Sequence, residues 1–308
     1  MSVNVFDTAE VQDFIKTAAG LTVAGGNPRV KQIVHRVMSD LFKTIEELDV
    51  TPDEFWSAVN YLNVVGQRGE AGLLAAGLGF EKYLDIRMDA QDAAEGIEGG
   101  TPRTIEGPLY VAGAPLSEGS ARLDTDPDEG QVLIMHGTVR GRDGSPLAGA
   151  IVEVWHANSK GMYSYFDSTQ SAYNLRRSIR TDANGRYEFR SLVPTGYGCP
   201  PDGPTQGLMD LLGRHGRRPA HIHFFVTGDG YRKLTTQINI DGDEYLHDDF
   251  AFATRDDLIP TVVQRDDAAS QQARGLDAPF AEIAFDFTLT PLAGEADTQV
   301  VERVRAAA

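Results

Sequence analysis

The sequence predicts an α+β protein in which a helical region precedes an antiparallel β-sandwich. Two observations predict this class. Before residue 95, apolar residues recur at every third or fourth position, which is typical of amphipathic helices. After the break at 99–102, short alternating runs separated by Gly and Asp turns indicate a two-layered β domain. We therefore expect a helical region at 1–104 and a β-sandwich domain at 105–308.

Four helices are expected in the helical region. Phe14 and Ile15 indicate a short opening helix, and Pro28 is placed to start a long second one. The pattern from Thr51 to Glu54 is a capping box with proline at the first helical position, so a third helix begins there. A further helix is expected over roughly 71–94. The apolar face of the long helix comprises Val30, Ile33, Val34, Val37, Met38, Leu41, Ile45 and Leu48.

This apolar face needs a surface to cover it. It either packs inside its own domain or pairs with a second copy of the chain, because long exposed apolar stripes mark interfaces. A two-fold homodimer through the helical region is the sharper of these two hypotheses.

At least seven short strands are expected after the break. The runs 131–140 and 150–156 are expected to form a hairpin, because Asp143-Gly144 between them is a hairpin dipeptide. A second turn at 182–185 separates the runs 178–181 and 187–191. The remaining strands are expected at 221–227, 235–240 and 282–289.

Composition excludes several classes of function. The net charge of −17 argues against nucleic-acid binding, since contact with phosphates needs a basic face. No apolar run approaches the ~20 residues of a membrane span, and the start of the sequence lacks the features of a signal peptide. Cys199 is the only cysteine, which excludes an internal disulfide and fits a cytoplasmic location.

A pair of histidines is the first sign of function. His221 and His223 are two positions apart in an expected strand, so their side chains point to the same face. Imidazole is the commonest metal ligand, and one strand can present two of them to one ion. The same spacing also occurs in histidines that are merely packed or exposed, so the motif alone leaves metal binding open.

Two tyrosines extend the candidate site. Tyr163 follows the expected strand 150–156, and Tyr197 lies in a loop that contains three prolines and two glycines. Phenolate is a hard, anionic oxygen donor that suits ferric iron better than zinc or copper(I). The alternative is that both are ordinary core or rim tyrosines. Cys199 beside Tyr197 is either a further ligand or, more simply, a structural thiol.

Five longer motifs carry a family resemblance. They are Thr101–Pro115, Val154–Asn158, Leu175–Ser178, Gly196–Gln206 and Gly213–His223. Through them the chain resembles the intradiol ring-cleaving dioxygenases over nearly its whole length, and especially the bacterial members that act on catechol.

The resemblance implies a catalytic β-sandwich domain joined to a helical dimerisation region. It implies one Fe(3+) per subunit, held by Tyr163, Tyr197, His221 and His223. It also implies cleavage of catechol by O₂ to cis,cis-muconate, a step of aromatic-compound degradation through β-ketoadipate. In this family the axial tyrosine, matched here by Tyr197, leaves the metal and takes a proton from the substrate.

The resemblance further assigns the surroundings of the iron. Arg218 would bring a fixed positive charge, with Gln237 as its partner; taken alone, Arg218 would more often be a surface salt bridge. Apart from Arg218 the wall is apolar, which favours catechol and small substituted catechols over protocatechuate. The matching substrate-binding positions are Leu73, Ala76, Ile105, Pro108, Leu109, Arg218, Phe250 and Ala251.

Three alternatives stay open at this point. A sister activity on hydroxyquinol or chlorocatechols would use the same site. A non-catalytic, transthyretin-like sandwich would use the two histidines only structurally. A lipid bound between the helices, which the resemblance also implies, would add a second ligand to the helical region.

Overall fold

The computed structural model describes residues 4–292 and 306–307. The chain divides into two compact units, Met1–Gln67 and Arg68–Ala308. Helices and mixed β-sheets are both present, which confirms the α+β class. In the part of the chain that the structure describes, every helix is too short or too polar to cross a membrane. The tail after Leu292, for which the sequence made no clear prediction, lies outside the described residues except for positions 306–307.

The first three helices are all present, and the second and third begin where Pro28 and the capping box predict. They are α1 (Ala9–Ala18), α2 (Pro28–Glu47) and α3 (Pro52–Arg68). Asn27 caps α2, because its side-chain oxygen accepts hydrogen bonds from the backbone N–H groups of positions 29 and 30. The capping box of α3 is present. The Thr51 N–H donates to the Glu54 carboxylate at 2.8 Å, and the Glu54 N–H donates to Thr51 Oγ1 at 3.3 Å.

The single helix predicted over roughly 71–94 is wrong, because two helices occupy this range. They are α4 (Ala71–Gly77) and α5 (Phe80–Ala94). Gly79 between them has φ +76°, a left-handed conformation that ends α-helical hydrogen bonding and that glycine adopts without strain. Apolar residues recur on both sides of this break, so their spacing alone predicted one helix.

Short strands dominate the second unit. Two further helices, α6 (Pro204–Leu211) and α7 (Ala268–Arg274), and a 3₁₀ turn at Asp256–Leu258 lie among them. The strands in chain order are β1 Val111–Ala112, β2 Leu116–Glu118, β3 Ser120–Arg122, β4 Val132–Gly141, β5 Ile151–His156, β6 Arg176–Arg180, β7 Arg186–Leu192, β8 Tyr197–Gly198, β9 Arg217–Arg218, β10 His221–Thr227, β11 Leu234–Asn239, β12 Val263–Arg265, β13 Phe280–Ala284, β14 Phe287–Leu289 and β15 Ala306–Ala307.

Two sheets contain most of these strands. The five-stranded sheet has the order β11-β10-β5-β6-β2, and the six-stranded sheet has the order β12-β13-β4-β7-β3, with β14 beside β4. The prediction of purely antiparallel sheets is wrong for four of their pairs, since β2–β6, β3–β7, β4–β13 and β4–β14 run parallel. Long connections bring these strands into place instead of hairpins, and only a tight hairpin forces the antiparallel direction.

The hairpin predicted between 131–140 and 150–156 does not form, although its turn and the turn predicted at 182–185 both do. The Gly144 N–H donates to the Gly141 carbonyl, and the Gly185 N–H donates to the Asp182 carbonyl. However, β4 pairs with β7, whereas β5 pairs with β6 and β10. The chain therefore crosses from one sheet to the other at each turn. Turn residues predict that a chain reverses, but not which sheet the next strand joins.

The strand predicted at 282–289 is interrupted between β13 and β14. At the interruption the Phe285 carbonyl approaches Gly137 of β4 so closely that a Cβ at Gly137 would lie 1.7 Å from the oxygen. The Tyr187 hydroxyl donates to the same carbonyl at 2.7 Å, and the Thr138 N–H donates to Asp286 at 2.7 Å. The alternation of the sequence continues through the break because both segments run along β4.

One hydrophobic cluster contains fully buried side chains of both sheets. Strand β10 contributes Ile222, Phe224 and Val226 to this cluster. Because side chains alternate along a strand, the residues between them face the other side of the five-stranded sheet. The core therefore fixes the side of the sheet on which both histidines lie.

Candidate metal centre and active site

Both histidines lie on an internal strand of the five-stranded sheet, since β10 is flanked by β5 and β11. His221 and His223 are each 1% exposed. The His223 ring stacks on Trp155, its partner in register on β5, with centroids 5.0 Å apart and an interplanar angle of 7°. The spacing of two therefore places two buried imidazoles side by side.

The Nε2 atom of His221 is the point on which the site converges. Nδ1 lies 2.6 Å from the Pro219 carbonyl, so Nδ1 carries the proton and donates it, which leaves a lone pair on Nε2. Around Nε2 lie Arg218 Nη1 at 3.0 Å, His223 Nε2 at 3.1 Å and the Tyr163 hydroxyl at 3.4 Å. Three polar groups thus surround a single lone pair.

The two tyrosines come from separate loops and meet at this point. Tyr163 is 4% exposed, whereas Tyr197 is half-buried. Their rings are 5.4 Å apart in an edge-to-face arrangement, and the Tyr197 ring is also 5.4 Å from the ring of His221. Tyr197 pairs in register with Arg218 in the β8–β9 ribbon, which joins its loop to the segment just before the histidines.

The protein environment keeps His221, His223 and Tyr163 neutral. Burial, followed by the charge of Arg218, lowers the pKa of His221 to about 3. Burial, followed by His221, lowers the pKa of His223 well below its ordinary value. Burial and the neighbouring Tyr197 raise the pKa of Tyr163 well above its usual range. A phenolate at Tyr163 therefore needs an additional positive charge, which a metal ion provides.

A buried carboxylate holds Arg218 in the site. The Nε and Nη2 atoms of Arg218 donate to the two carboxylate oxygens of Asp249, both at 3.1 Å. Nη2 of Arg218 also donates to Gln237 Oε1 at 2.8 Å. Burial opposes the charge of the guanidinium, but Asp249 outweighs burial, and the pKa of Arg218 is raised. The third nitrogen, Nη1, is the one directed at His221.

Five of the predicted wall residues lie in or against two apolar clusters. Leu109 packs with Trp155 and Tyr163, beside the candidate ligands. Leu73 is half-buried on α4, and Pro108 is exposed. The other four share a second cluster, which we call the apolar wall; they are Ala76, Ile105, Phe250 and Ala251.

Cys199 and His156, two other residues of types that bind metals, are engaged elsewhere. The Cys199 thiol lies in the apolar wall, where burial, followed by Glu70, raises its pKa to about 12. Both ring nitrogens of His156 are 2.7 Å from other groups, the Ala157 carbonyl and the Ser191 hydroxyl. Cys199 therefore stays a protonated thiol, and His156 is a packing residue.

Sequence reasoning missed two charged residues of the site, Asp249 and Arg176. Asp249 is one of five acidic residues between 241 and 249, so nothing in the sequence distinguished it. Nothing in the sequence assigned Arg176 to the site either. Its guanidinium donates to the Ser164 hydroxyl and carbonyl and to the Leu109 carbonyl, and lies 5.7 Å from the Tyr163 ring centroid. Within the described part of the chain, no carboxylate pairs with Arg176.

The donor set fits a metal ion. The lone pair of His221 Nε2 is crowded by three groups, among them His223 Nε2 at 3.1 Å and the Tyr163 hydroxyl at 3.4 Å. Among the residues that the structure describes, no cluster of three or more His, Cys, Asp or Glu could hold a metal. A metal site here must therefore include the phenol oxygens, and a mixed set of imidazoles and phenolates suits iron.

Comparison with known proteins shows that the chain is similar in sequence to characterised enzymes. A family model described as "Dioxygenase" matches residues 105–291, and one described as "Catechol dioxygenase N terminus" matches residues 27–96. The catechol 1,2-dioxygenase of Acinetobacter baylyi is 59% identical over 310 residues, covering 100% of both chains. The catechol 1,2-dioxygenase of a Pseudomonas species is 53% identical, covering 96% of this chain and 98% of the relative.

Solved structures agree with this. A catechol 1,2-dioxygenase from Acinetobacter sp. ADP1, inhibited by bound mercury, matches with a TM-score of 0.96 and 59% identity over 99% of this chain and 100% of its own. Enzymes for related substrates are less similar. A chlorocatechol 1,2-dioxygenase from a Pseudomonas species is 32% identical, covering 77% of this chain and 92% of its own length. A hydroxyquinol 1,2-dioxygenase from a Rhizobium species is also 32% identical, covering 85% of this chain and 90% of its own length.

Proposed function

The chain belongs to the family of intradiol ring-cleaving dioxygenases, and from that premise we propose that it cleaves catechol with O₂ to cis,cis-muconate. It is then a catechol 1,2-dioxygenase, which incorporates both oxygen atoms of O₂ into one substrate. The observation that carries the proposal is the convergence of two imidazoles, two phenols and a guanidinium on one buried point. A purely structural sandwich gains nothing from that convergence.

We infer that one ferric ion per subunit is held by Tyr163, Tyr197, His221 and His223. When bound, ferric iron supplies a Lewis acid that binds catechol as a dianion and makes its ring reactive toward O₂. The chain orients the imidazoles for this task. The Pro219 carbonyl fixes the tautomer of His221, and stacking on Trp155 fixes the plane of the His223 ring.

The two tyrosines are suited to different roles. Tyr163 is buried and lies under the Arg176 guanidinium, so it is the ligand that stays in place. Tyr197 is half-buried and lies on a strand of only two residues, so it is the ligand that can turn away. We infer that the Tyr197 oxygen, which would hold the metal when it is bound, would also accept a proton from one catechol hydroxyl.

Arg218 supplies fixed positive charge where negative charge grows on the substrate oxygens during ring opening. Its guanidinium is buried, and Gln237 and Asp249 hold its orientation. Preorganised charge in a site that excludes water is worth far more than the same charge in water. We therefore assign a catalytic role to Arg218, with Gln237 as its hydrogen-bond partner.

The apolar wall favours an uncharged ring. Ala76, Ile105, Phe250 and Ala251 form a compact, uncharged surface, and the half-buried Leu73 and the more peripheral Pro108 and Leu109 complete the proposed pocket. A sister activity on hydroxyquinol or chlorocatechol is the alternative. The ratio of kcat/KM for catechol, 4-chlorocatechol and hydroxyquinol decides between them, since a clear preference for either substituted ring overturns the assignment to catechol.

The visible spectrum of the purified protein tests the proposal directly. Ferric tyrosinate predicts a broad charge-transfer band, which should move to longer wavelength when catechol is added without oxygen. Removing the iron with a chelator should abolish the band, and adding ferric iron back should restore it. An iron-replete but colourless protein would show that the tyrosines are not ligands.

We also propose that the chain forms a homodimer through its helices. Support comes from α2, which exposes Val30, Ile33, Val34, Val37 and Leu41 by 39–56% along one face. Sedimentation should give twice the 33.5 kDa chain mass, and a stable monomer would remove the proposal.

A 430 Å³ cavity in the first unit, lined mainly by apolar residues such as Phe14 and Phe42, supports the further proposal that a lipid binds there. Mass spectrometry of a denatured extract tests that lipid.

Three finer assignments are proposals of the same kind. The two family matches support a functional division near residue 105 between a helical region at 1–104 and a catalytic domain at 105–308. The core shared by the two sheets supports a β-sandwich for that domain. A single, buried cysteine supports a cytoplasmic location, which cell fractionation would test.

A further inference from the structure

Asp249 serves two parts of the site with one carboxylate. Its oxygens receive two hydrogen bonds from Arg218, both at 3.1 Å. The same oxygens accept the backbone N–H groups of Ala251 at 3.0 Å and Ala253 at 3.2 Å. The side chains of Asp249 and Arg218 are 1% and 3% exposed, so water does not compete for these bonds.

The turn that Asp249 organises carries two residues of the apolar wall, Phe250 and Ala251. Phe252 in this turn has φ +56°, which is uncommon for a residue with a side chain and persists only where surrounding bonds enforce it. The two bonds to Asp249 supply that enforcement, together with the bond from the Phe250 N–H to the Arg217 carbonyl at 3.0 Å. The position of the wall therefore depends on the same carboxylate that orients the guanidinium.

We propose that Asp249 is a positioning residue that fixes Arg218 and the apolar wall at one constant separation. The role rests on the proposed function, because Arg218 must act on a ring that lies against this wall. It also has a consequence for specificity. A ring substituent that displaces Phe250 or Ala251 moves Arg218 through Asp249, so a bulky catechol loses turnover as well as binding.

A double-mutant cycle on the iron-loaded, full-length protein tests this role. Arg218→Gln should lower kcat by about 10²- to 10³-fold, the effect of removing one charge-stabilising donor. Asp249→Asn should lower kcat by about 10- to 10²-fold, since a misplacement near 1 Å has an effect of that size. If Asp249 acts through Arg218, the double variant is no slower than Arg218→Gln alone. Multiplication of the two effects would overturn the proposal.

Asp248→Asn is the matched control. Asp248 is the neighbouring residue with the same side chain, but it is 81% exposed and pairs only with His215 on the surface. Its kcat and KM should equal those of the parent. Asp249→Glu, which keeps the charge but lengthens the side chain, replaces Asp249→Asn in the cycle if the latter does not fold.

Two further measurements separate positioning from general damage. The charge-transfer band of Asp249→Asn should match that of the parent, because the carboxylate contacts none of the proposed ligands. In Asp249→Asn the apolar wall and the Arg218 guanidinium no longer move together, so the ratio of kcat for 4-methylcatechol to kcat for catechol should rise toward one. An unchanged ratio contradicts the proposal. Failure of the proposed function is distinct, because the parent protein itself would then lack the band and turnover.

Discussion

Replacing Gly77 with alanine tests whether the apolar wall is a fixed surface. Gly77 is the last residue of α4 and is buried. A Cβ at this position would lie 2.8 Å and 3.1 Å from two carbons of the Phe250 ring. An aromatic ring in a packed cluster has no free end to swing aside, so either the ring or α4 must move.

The structure gives the expected magnitude through a matched variant. Gly207 lies in α6, and a Cβ there would meet no atom within 4 Å. Alanine is favoured over glycine within helices by up to about 1 kcal/mol, and both variants receive this gain. Only Gly77→Ala also carries the cost of overpacking, which is about 1–3 kcal/mol. The two free energies of unfolding should therefore differ by about 1–3 kcal/mol.

Urea unfolding followed by circular dichroism measures this difference, and steady-state kinetics measures its effect on the site. Gly207→Ala should be slightly stabilised and should keep its KM for catechol. Gly77→Ala should be the less stable variant, and its KM should rise by about threefold or more because Phe250 is pushed toward the ring-binding space. Equal stability of the two variants would refute the packing argument, and an unchanged KM would remove Phe250 from the wall.

Three more outcomes are expected. Arg218→Ala should keep iron and colour but lose at least about 10²-fold in turnover, and near-normal turnover would disprove its role. Tyr163→Phe should lose the visible band and most of its iron on dialysis, whereas a retained band would remove Tyr163 from the ligand set. Asp85→Asn tests a buried acid on α5. Burial, with Asp89 adding to it and Arg255 opposing it, raises the pKa of Asp85 to about 6. The folded chain then binds this proton more tightly than the unfolded chain, so its contribution to stability is full below pH 4 and is lost as pH rises through about 6. Urea midpoints should show the variant more stable than the parent by about 1–2 kcal/mol at pH 8, after a discount for solvent screening, and equal to it at pH 4.

Interactions between residues close in sequence made several helices and strands predictable. Asn27, Pro28 and the capping box at Thr51 set the starts of α2 and α3, and the run of apolar and aromatic residues after His221 indicates β10. Each of these interactions involves residues only a few positions apart, so a short stretch of sequence is enough to predict it. The close pairing of His221 and His223 follows from the alternation of side chains along a strand.

Long-range contacts were not predictable in this way. The assignment of β4 and β5 to different sheets depends on partners far away in sequence, and a turn dipeptide carries no information about them. The break at Phe285 depends on the absence of a side chain at Gly137, about 150 positions earlier. Asp249 likewise gains its importance only because the fold buries Arg218 against it.

The crossing of the chain between sheets at both turns sets the order in which the molecule can assemble. Neither sheet can form from one continuous segment, since β4 must wait for strands near Asp286, 148 positions after Thr138. Pairing at such separation is slow, whereas α1, α2 and α3 need only local hydrogen bonds and form within microseconds. During synthesis the helices are therefore complete while the β strands still lack partners. The segments that carry Tyr163, Tyr197 and His221 are all synthesised before β13 and β14 complete the six-stranded sheet, so the candidate ligands can meet before that sheet is finished.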